Sequence, residues 1–246
     1  MSIRSLMMVT YNRLELTKQT VENIYSVTDN FNFIIVDNGS SDGTIEYLNE
    51  LNSKHQNVNL YFYENNTGVA TGRNRALKIA ADLGTDYFVT IDNDVILPSN
   101  WLEDCIDILD KANYGITGVN FEKQQFALID VNGILIQHKS QGNIGTACKA
   151  FTKKVFKTIG YFTTDYPKYG HEDASYSFRC RVAGFKIGYI KNSGIHLGEG
   201  EADSGDYRAF KDEYGKKNLQ QFYADCRDYI AGKKSIYLPF SEKLND

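Results

Sequence analysis

The chain has 246 residues, 42% of them hydrophobic, and a formal net charge of −4; a chain of this size buries roughly three quarters of its unfolded surface, which excludes disorder and allows one large domain with or without an appendage. The charge gives no general attraction to nucleic acid or an anionic membrane, and Lys149, Lys153, Lys154 and Lys157 read as a solvated helix face. Cys105, Cys148, Cys180 and Cys226 form no Cys-x-x-Cys pair, no charged-then-apolar leader opens the chain, and no apolar run nears the roughly 18 residues of a membrane span, so a cytoplasmic protein is expected.

In chain order, short apolar runs at residues 5–10, 31–36, 58–63, 87–91 and 115–119 read as strands. Between them Leu14/Val21/Ile24/Tyr25, Ala76/Leu77/Ala80/Leu83 and Leu102/Cys105/Ile106/Leu109 fall at helical spacings. Ser41 or Asp42 is placed to cap a helix over 43–51, and Ser99 or Asn100 one over 101–109. Alternating strands and helices imply a parallel sheet covered on both faces, with functional loops at the carboxyl ends of its strands. Those loops are Thr10-Tyr11-Asn12-Arg13, Asp37-Asn38-Gly39-Ser40-Ser41-Asp42-Gly43, Glu64-Asn65-Asn66-Thr67-Gly68 and Asp92-Asn93-Asp94.

Beyond residue 119 the pattern changes. Val131-Asn132-Gly133-Ile134 reads as the turn of a β-hairpin within 126–136, the stretch 142–150 is small and glycine-rich, and a short helix follows at 153–159. An aromatic loop carries Tyr161, Phe162, Tyr166 and Tyr169; these rings can stack on a sugar, although packing explains them more simply. Glu172 and Asp173 open a helix over 174–183 whose Phe178 and Val182 are expected to face inward. The segment 199–206 is polar, as a lid or an ordinary loop would be. Residues 207–231 form a helical stretch with Phe210, Tyr214, Leu219, Phe222, Tyr223, Cys226 and Tyr229 on its apolar face, offered to the domain or to a second copy of the chain. Lys233-Lys234 and the run Ile236-Tyr237-Leu238-Pro239-Phe240 offer a peripheral membrane contact.

The chemistry concentrates in Asp92-Asn93-Asp94. Side chains two apart on a strand point the same way, so the two carboxylates can meet at one point where open α/β sheets bind ligands. Paired carboxylate oxygens suit Mg²⁺ or Mn²⁺, hard ions that take further ligands from substrate phosphates. Asp37 can accept hydrogen bonds from a nucleotide base, and Arg73 can stack on the base or neutralise phosphate. A helix amino terminus favours an anionic Asp173.

Taken in order, Val9-Thr10-Tyr11-Asn12-Arg13, Ile34-Ile35-Val36-Asp37-Asn38-Gly39-Ser40-Ser41-Asp42-Gly43-Thr44, Asn66-Thr67-Gly68 through Arg73-Asn74, Asp92-Asn93-Asp94 and Glu172-Asp173 resemble a family 2 glycosyltransferase. The resemblance covers about residues 5–198. It implies the GT-A fold: a Rossmann-like, mostly parallel central sheet with helices on both faces, a small antiparallel hairpin on the acceptor side and a C-terminal helical extension. It divides the chain into a donor-binding half at 1–119, an acceptor and catalytic-base half at 120–198 and an extension at 199–246. It implies an inverting transfer from a nucleoside diphosphate sugar, UDP-sugar by default, to a hydroxyl of a glycan or glycolipid. Thr10, Tyr11, Asn12, Arg13, Asp37, Gly68, Arg73, Asp92 and Asn93 would line the donor site. Asp94, with Asp92 and His196, would hold Mn²⁺ or Mg²⁺. Asp173 would be the base and Glu172 would orient the acceptor, with His171 a weaker acceptor contact.

Three other readings compete. A sugar-phosphate nucleotidyltransferase needs a glycine-rich, Arg-bearing loop after its first strand, which residues 10–13 do not supply. A haloacid-dehalogenase-type phosphatase has an Asp-x-Asp but wants Thr or Val where Ile96 stands, and leaves the preceding 90 residues unexplained. A non-catalytic nucleotide-sugar-binding module would not need Asp92, Asp94 and Asp173 together.

Overall fold

The computed structural model describes residues 2–122, 126–139, 142–166, 170–198 and 206–241. A nine-stranded mixed sheet runs in the order β3-β2-β1-β4-β9-β6-β10-β8-β7. Its first four strands, β1 (Arg4–Thr10), β2 (Asn32–Asp37), β3 (Val58–Phe62) and β4 (Tyr87–Ile91), are mutually parallel and are linked by α1 (Leu14–Val27), α2 (Thr44–Lys54) and α3 (Val69–Asp82). After β4 come β5 (Val95–Ile96), α4 (Trp101–Lys111), β6 (Tyr114–Gly118) and the hairpin β7 (Leu128–Val131) with β8 (Ile134–His138). Then follow β9 (Cys148–Thr152), α5 (Lys153–Ile159), α6 (Glu172–Val182), β10 (Lys186–Ile190), β11 (Ile195–His196) and α7 (Asp206–Ile230).

Alternation along the strands divides the core between the two faces. Leu6, Met8, Phe33, Ile35, Val89 and Ile91 point to one side, where Val21, Leu48, Trp101 and Cys105 close over them. Met7, Ile34, Val36, Phe88 and Phe151 point to the other, against Ala76, Leu77, Val155 and Tyr176. Trp101 is fully buried and its indole N–H donates to Thr28 Oγ1.

The glycine-rich stretch at 142–150 hides a strand. β9 inserts antiparallel between β4 and β6, so a strand from the second half of the chain sits in the middle of the sheet. It pairs Phe88 with Phe151, whose rings stack 5.5 Å apart. Lys149 therefore lies on a central strand and is fully buried, which overturns its reading as part of a solvated helix face. The hairpin forms at its Asn-Gly turn, with both residues left-handed at φ 55° and 82°, and joins the sheet's edge through β8 and β10.

Two helix caps differ from expectation. Asn100 takes a left-handed conformation and its side chain caps nothing. Asp42 stands one residue before the α2 cap position; one carboxylate oxygen accepts from Thr44 N and Oγ1, the other from Leu14 N, so it fastens the starts of two helices. Burial pushes its pKa up, but the bonds from Thr44 and Leu14 together outweigh it and the net shift is downward.

The C-terminal elements close one face. Phe178 is half-buried between α6 and Phe222 and Tyr229 of α7, while Val182 is exposed; the inward face of α6 is Tyr176, Arg179 and Cys180 instead. Arg179 is buried because its guanidinium donates to the carbonyls of Ile159, Tyr161 and Ile236, a need that apolar periodicity does not reveal. The face of α7 that meets the domain includes Asn218, Asp225, Cys226 and Tyr229, whereas Tyr223 points outward; the side chain of Phe210 lies outside the described set. Asp225 accepts from Tyr166, Gln221 and Lys234.

The run at 236–240 is held against the domain, with Tyr237 left exposed. Leu238 bonds through its backbone to Ile159 and Tyr161, Phe240 packs on Tyr161, and Lys234 is tied to Asp165 and Asp225. Among the described residues, no helix is long and apolar enough to cross a membrane. The lid expected at 199–206 falls on residues outside the described set except for Asp206, which opens α7.

Candidate active site

The loops at the carboxyl ends of β1, β2, β3 and β4 converge as expected, and Asp37 organises them. It is fully buried, and its carboxylate accepts from Thr10 Oγ1, Ser40 Oγ and the backbone N–H groups of Gly39 and Ser40. With four protein donors in place, its first task is to shape the loop; reading a base would require giving up one of them. Asn12 reinforces the same fold, its N–H donating to Ser40 Oγ and its Oδ1 accepting from Ser41 N.

Asn12 and Arg13 are both left-handed, at φ 55° and 63°. Such a conformation is ordinary for Asn but uncommon for Arg, and residues held this way cluster at functional sites. The turn delivers the Arg13 guanidinium to Asp94, 2.7 Å from Oδ2. Tyr11, beside it, is exposed. Across the crevice Gly68, at φ 84°, opens α3 and accepts from the Asn38 side chain. One turn later Arg73 is buried between Asp92 (2.8 Å) and Glu172 (2.7 Å). Burial pulls the Arg73 pKa down, but Asp92, Glu172 and Asp173 outweigh it and the net shift is upward. Arg73 is thus an internal bridge between strand end and helix start, and stacking on a base would require leaving both partners.

Asp92-Asn93-Asp94 forms a turn between β4 and β5 rather than a continuation of the strand. Asn93 points away from the crevice and donates to Thr17 Oγ1. Asp92 and Asp94 point into it, so the convergence expected from strand alternation is achieved by a turn. The third member arrives on a two-stranded ribbon in which β11 runs antiparallel to β5, pairing His196 with Val95, while Leu197 N–H donates to the Asp94 carbonyl. One ligating atom each from Asp92, Asp94 and His196 lie within 4.8 Å of one another. His196 Nε2 is 3.6 Å from Asp94 Oδ1, too far for a hydrogen bond and suited to two ligands of one ion. The two carboxylates supply oxygen donors of the kind Mn²⁺ or Mg²⁺ takes, and the imidazole of His196 favours Mn²⁺ over the harder Mg²⁺.

Gly198 completes this corner. A Cβ there would stand 2.4 Å from Asp94 Oδ2, so the carboxylate keeps its place only because residue 198 has no side chain. Gly198→Ala is expected to displace Asp94 and weaken Mn²⁺ binding by about tenfold or more, on the order of 1.4 kcal/mol. Calorimetric titration with MnCl₂ checks this; unchanged affinity would remove the packing argument.

The far wall is the start of α6. Asp173 is partly exposed to the crevice, its Oδ1 accepting from Ala174 N and its Oδ2 3.3 Å from Asn143 Nδ2. Glu172 is buried on Arg73 rather than presented to an acceptor. Burial first, then the neighbouring Asp173, raises its pKa, with Arg73 opposing. His171 is turned to α7, where Nε2 meets the Gly215 carbonyl at 2.8 Å and the ring stacks on Phe222. Tyr161, Phe162 and Tyr166 are buried in packing, and Tyr169 lies outside the described residues.

Lys149 and Asn143 were missed by sequence reasoning. A lysine inside the apolar run Ala147-Cys148-Lys149-Ala150-Phe151 is the signal that could have found the first; Asn143 had none.

This architecture is that of GT-A nucleotide-diphospho-sugar transferases. Its solved neighbours include a mannosyltransferase, PcManGT from Pyrobaculum calidifontis in complex with GDP-Man and Mn²⁺, with a TM-score of 0.69 and 18% identity over 92% of this chain and 65% of that one. Another is S. aureus TarS 1-349 in complex with UDP, with a TM-score of 0.64 and 17% identity over 79% of this chain and 59% of that one. The family model for glycosyl transferase family 2 matches residues 5–160, and the chain belongs to that family. It is similar to an uncharacterised glycosyltransferase of Haemophilus influenzae, 30% identical over 37% of this chain and 36% of the relative. An uncharacterised glycosyltransferase, R363, of Acanthamoeba polyphaga mimivirus is 23% identical over 68% of this chain and 66% of its own length. The chain therefore spans about a third to two thirds of these relatives.

Proposed function

We propose that the protein transfers a sugar from a nucleoside diphosphate sugar to a hydroxyl acceptor with inversion, in a metal-dependent single displacement. The observation that carries this reading is the grouping of Asp92, Asp94 and His196 at the strand ends, across the crevice from Asp173. UDP-sugar is the default donor, and a glycan or glycolipid the acceptor class. The solved neighbours were captured with GDP-Man and Mn²⁺ or with UDP-GlcNAc, which supports this ligand class without choosing the base.

In this reading Asp94, Asp92 and His196 hold a divalent ion, which when bound supplies a Lewis acid for the leaving diphosphate. Thr10, Tyr11, Asn12, Arg13, Asp37, Gly68, Arg73 and Asn93 form the donor site, some through direct contact and others by shaping loops. Arg13 places a positive charge at the metal corner, where negative charge accumulates on the departing group. Asp173 takes the proton from the acceptor hydroxyl as its oxygen attacks the anomeric carbon. The bond from that carbon to the phosphate oxygen breaks, its electron pair leaves with the nucleoside diphosphate, and attack on the opposite face inverts the configuration. Glu172 orients this end of the site through Arg73.

Calorimetry with a panel of nucleoside diphosphates and their sugars, with and without Mn²⁺, tests the reading. Binding of at least one donor that is strengthened by Mn²⁺ is expected; no binding by any member would sink it.

A further inference from the structure

Lys149 is a buried cation that the proposed reaction does not use directly. It is 0% exposed on β9, paired across the sheet with Thr90 on β4 and Gly118 on β6. Its Nζ donates to the backbone carbonyl of Asp173 at 2.9 Å and lies 5.7 Å from the Phe162 ring centroid and 5.4 Å from that of Tyr176. No carboxylate oxygen of a described residue is within ion-pair reach of it. An ammonium stripped of water is costly, and methionine would fill the same space without that cost. Packing alone therefore does not explain a lysine here.

Its surroundings do. The charged and titratable groups facing it are Asp173, Glu172, Tyr176 and Cys180 on α6 and Arg73 on α3. Three carboxylates, Asp92, Glu172 and Asp173, gather around Arg73, and Lys149 is the second cation of the group. Like charges brought together out of water disfavour ionisation, and a nearby cation restores it.

We propose that Lys149 is a positioning residue for sugar transfer: its ammonium fastens the first turn of α6 through the Asp173 carbonyl and sets a positive charge beside the carboxylates there, so that the Asp173 side chain is held where it meets the acceptor as a base. This rests on the reading of Asp173 above. Burial brings the Lys149 pKa down to about 8, with Asp173 opposing, so the group is largely protonated at neutral pH. Lys149 is also among the groups that pull Glu172 back toward ionisation.

The test compares Lys149→Met, Lys149→Gln and Lys149→Arg with wild type and Asp173→Asn, at saturating Mn²⁺, using a donor that binds. Lys149→Met is expected to lower kcat about tenfold while donor affinity stays within about twofold, and to move the acidic limb of the pH–rate profile up by about one unit. Lys149→Arg keeps the charge and should hold the limb near the wild-type position. Independently of turnover, the ¹³C-carboxyl titration of Glu172 should move to higher pH in the Met and Gln variants. If Lys149→Met does not fold, Gln against Arg carries the same comparison. Failure of the base reading shows as an Asp173→Asn protein with full activity. Failure of the Lys149 proposal shows with Asp173→Asn inactive: neutral variants with a wild-type limb and Glu172 titration, or all three variants equally slowed at every pH, overturn it.

Discussion

Replacing Asp94 with asparagine is expected to lower metal-dependent turnover about a thousandfold, on the order of 4 kcal/mol of lost transition-state stabilisation. Its side chain is only 6% exposed and offers an oxygen within 4.8 Å of candidate ligand atoms of Asp92 and His196, so the change removes one anionic group from the proposed ligand set and leaves the other two residues. Asparagine keeps the shape, and the fold should survive, because the Asp94 backbone bond to Leu197 and the ribbon pairing do not depend on the carboxylate. The Arg13 guanidinium loses the charge of the Asp94 carboxylate in the same step. Turnover and Mn²⁺ affinity should fall together, with the melting temperature close to wild type. Lost turnover with unchanged Mn²⁺ affinity would show that Asp94 acts otherwise than as a ligand.

Asp173→Asn should reduce the transfer rate about 10³-fold, within the usual range for removing a general base, and leave donor binding within about twofold. The asparagine oxygen can still accept from Ala174 N, so the start of α6 is preserved. Glu172 cannot substitute: it is buried, with its carboxylate tied to Arg73 and turned from the crevice. Rapid-quench measurement of sugar transfer, with donor affinity determined separately, checks both halves. A variant that transfers at the wild-type rate would move the base elsewhere.

Much of the sheet in residues 1–119 could be read from residues alone, for a physical reason. Strands such as β2 are buried on both faces and bounded by turn formers, so a run like Phe33-Ile34-Ile35-Val36 ending at Asp37 has one reading. Convergence of the four strand-end loops then follows from the topology. β9 escaped because Cys148-Lys149-Ala150 shows no strand period, and its pairing with β4 and β6 is contributed by chain remote in sequence. The same non-local pairing buries Lys149 and reverses the meaning of its charge. α6 was legible as a helix but not in its orientation, because polar residues are buried beside Tyr176 and Cys180: Ser177 and Arg179 through bonds to backbone, and Ser175 in packing, none of which periodicity encodes.

Within the site, residue types were more legible than partners. His196 could be nominated as a ligand, but its approach to Asp94 depends on the β5–β11 ribbon and on the missing side chain of Gly198. Arg73 was expected at the nucleotide, but its bridge between Asp92 and Glu172 could not be read from the sequence, because it follows from the arrangement of α3 against α6 and the end of β4. Asn93 was grouped with the donor residues by its position between two aspartates, yet the turn directs it to Thr17.

The central claim is metal-dependent chemistry on a nucleoside diphosphate sugar at the Asp92, Asp94 and His196 corner. Nucleotide release from a panel of UDP-, GDP- and TDP-sugars, followed with Mn²⁺ and then with EDTA, tests it most directly in wild type and Asp94→Asn. The account predicts release from at least one donor with Mn²⁺, abolished by EDTA and by Asp94→Asn. Release that persists undiminished in EDTA and in the Asp94→Asn protein would contradict it.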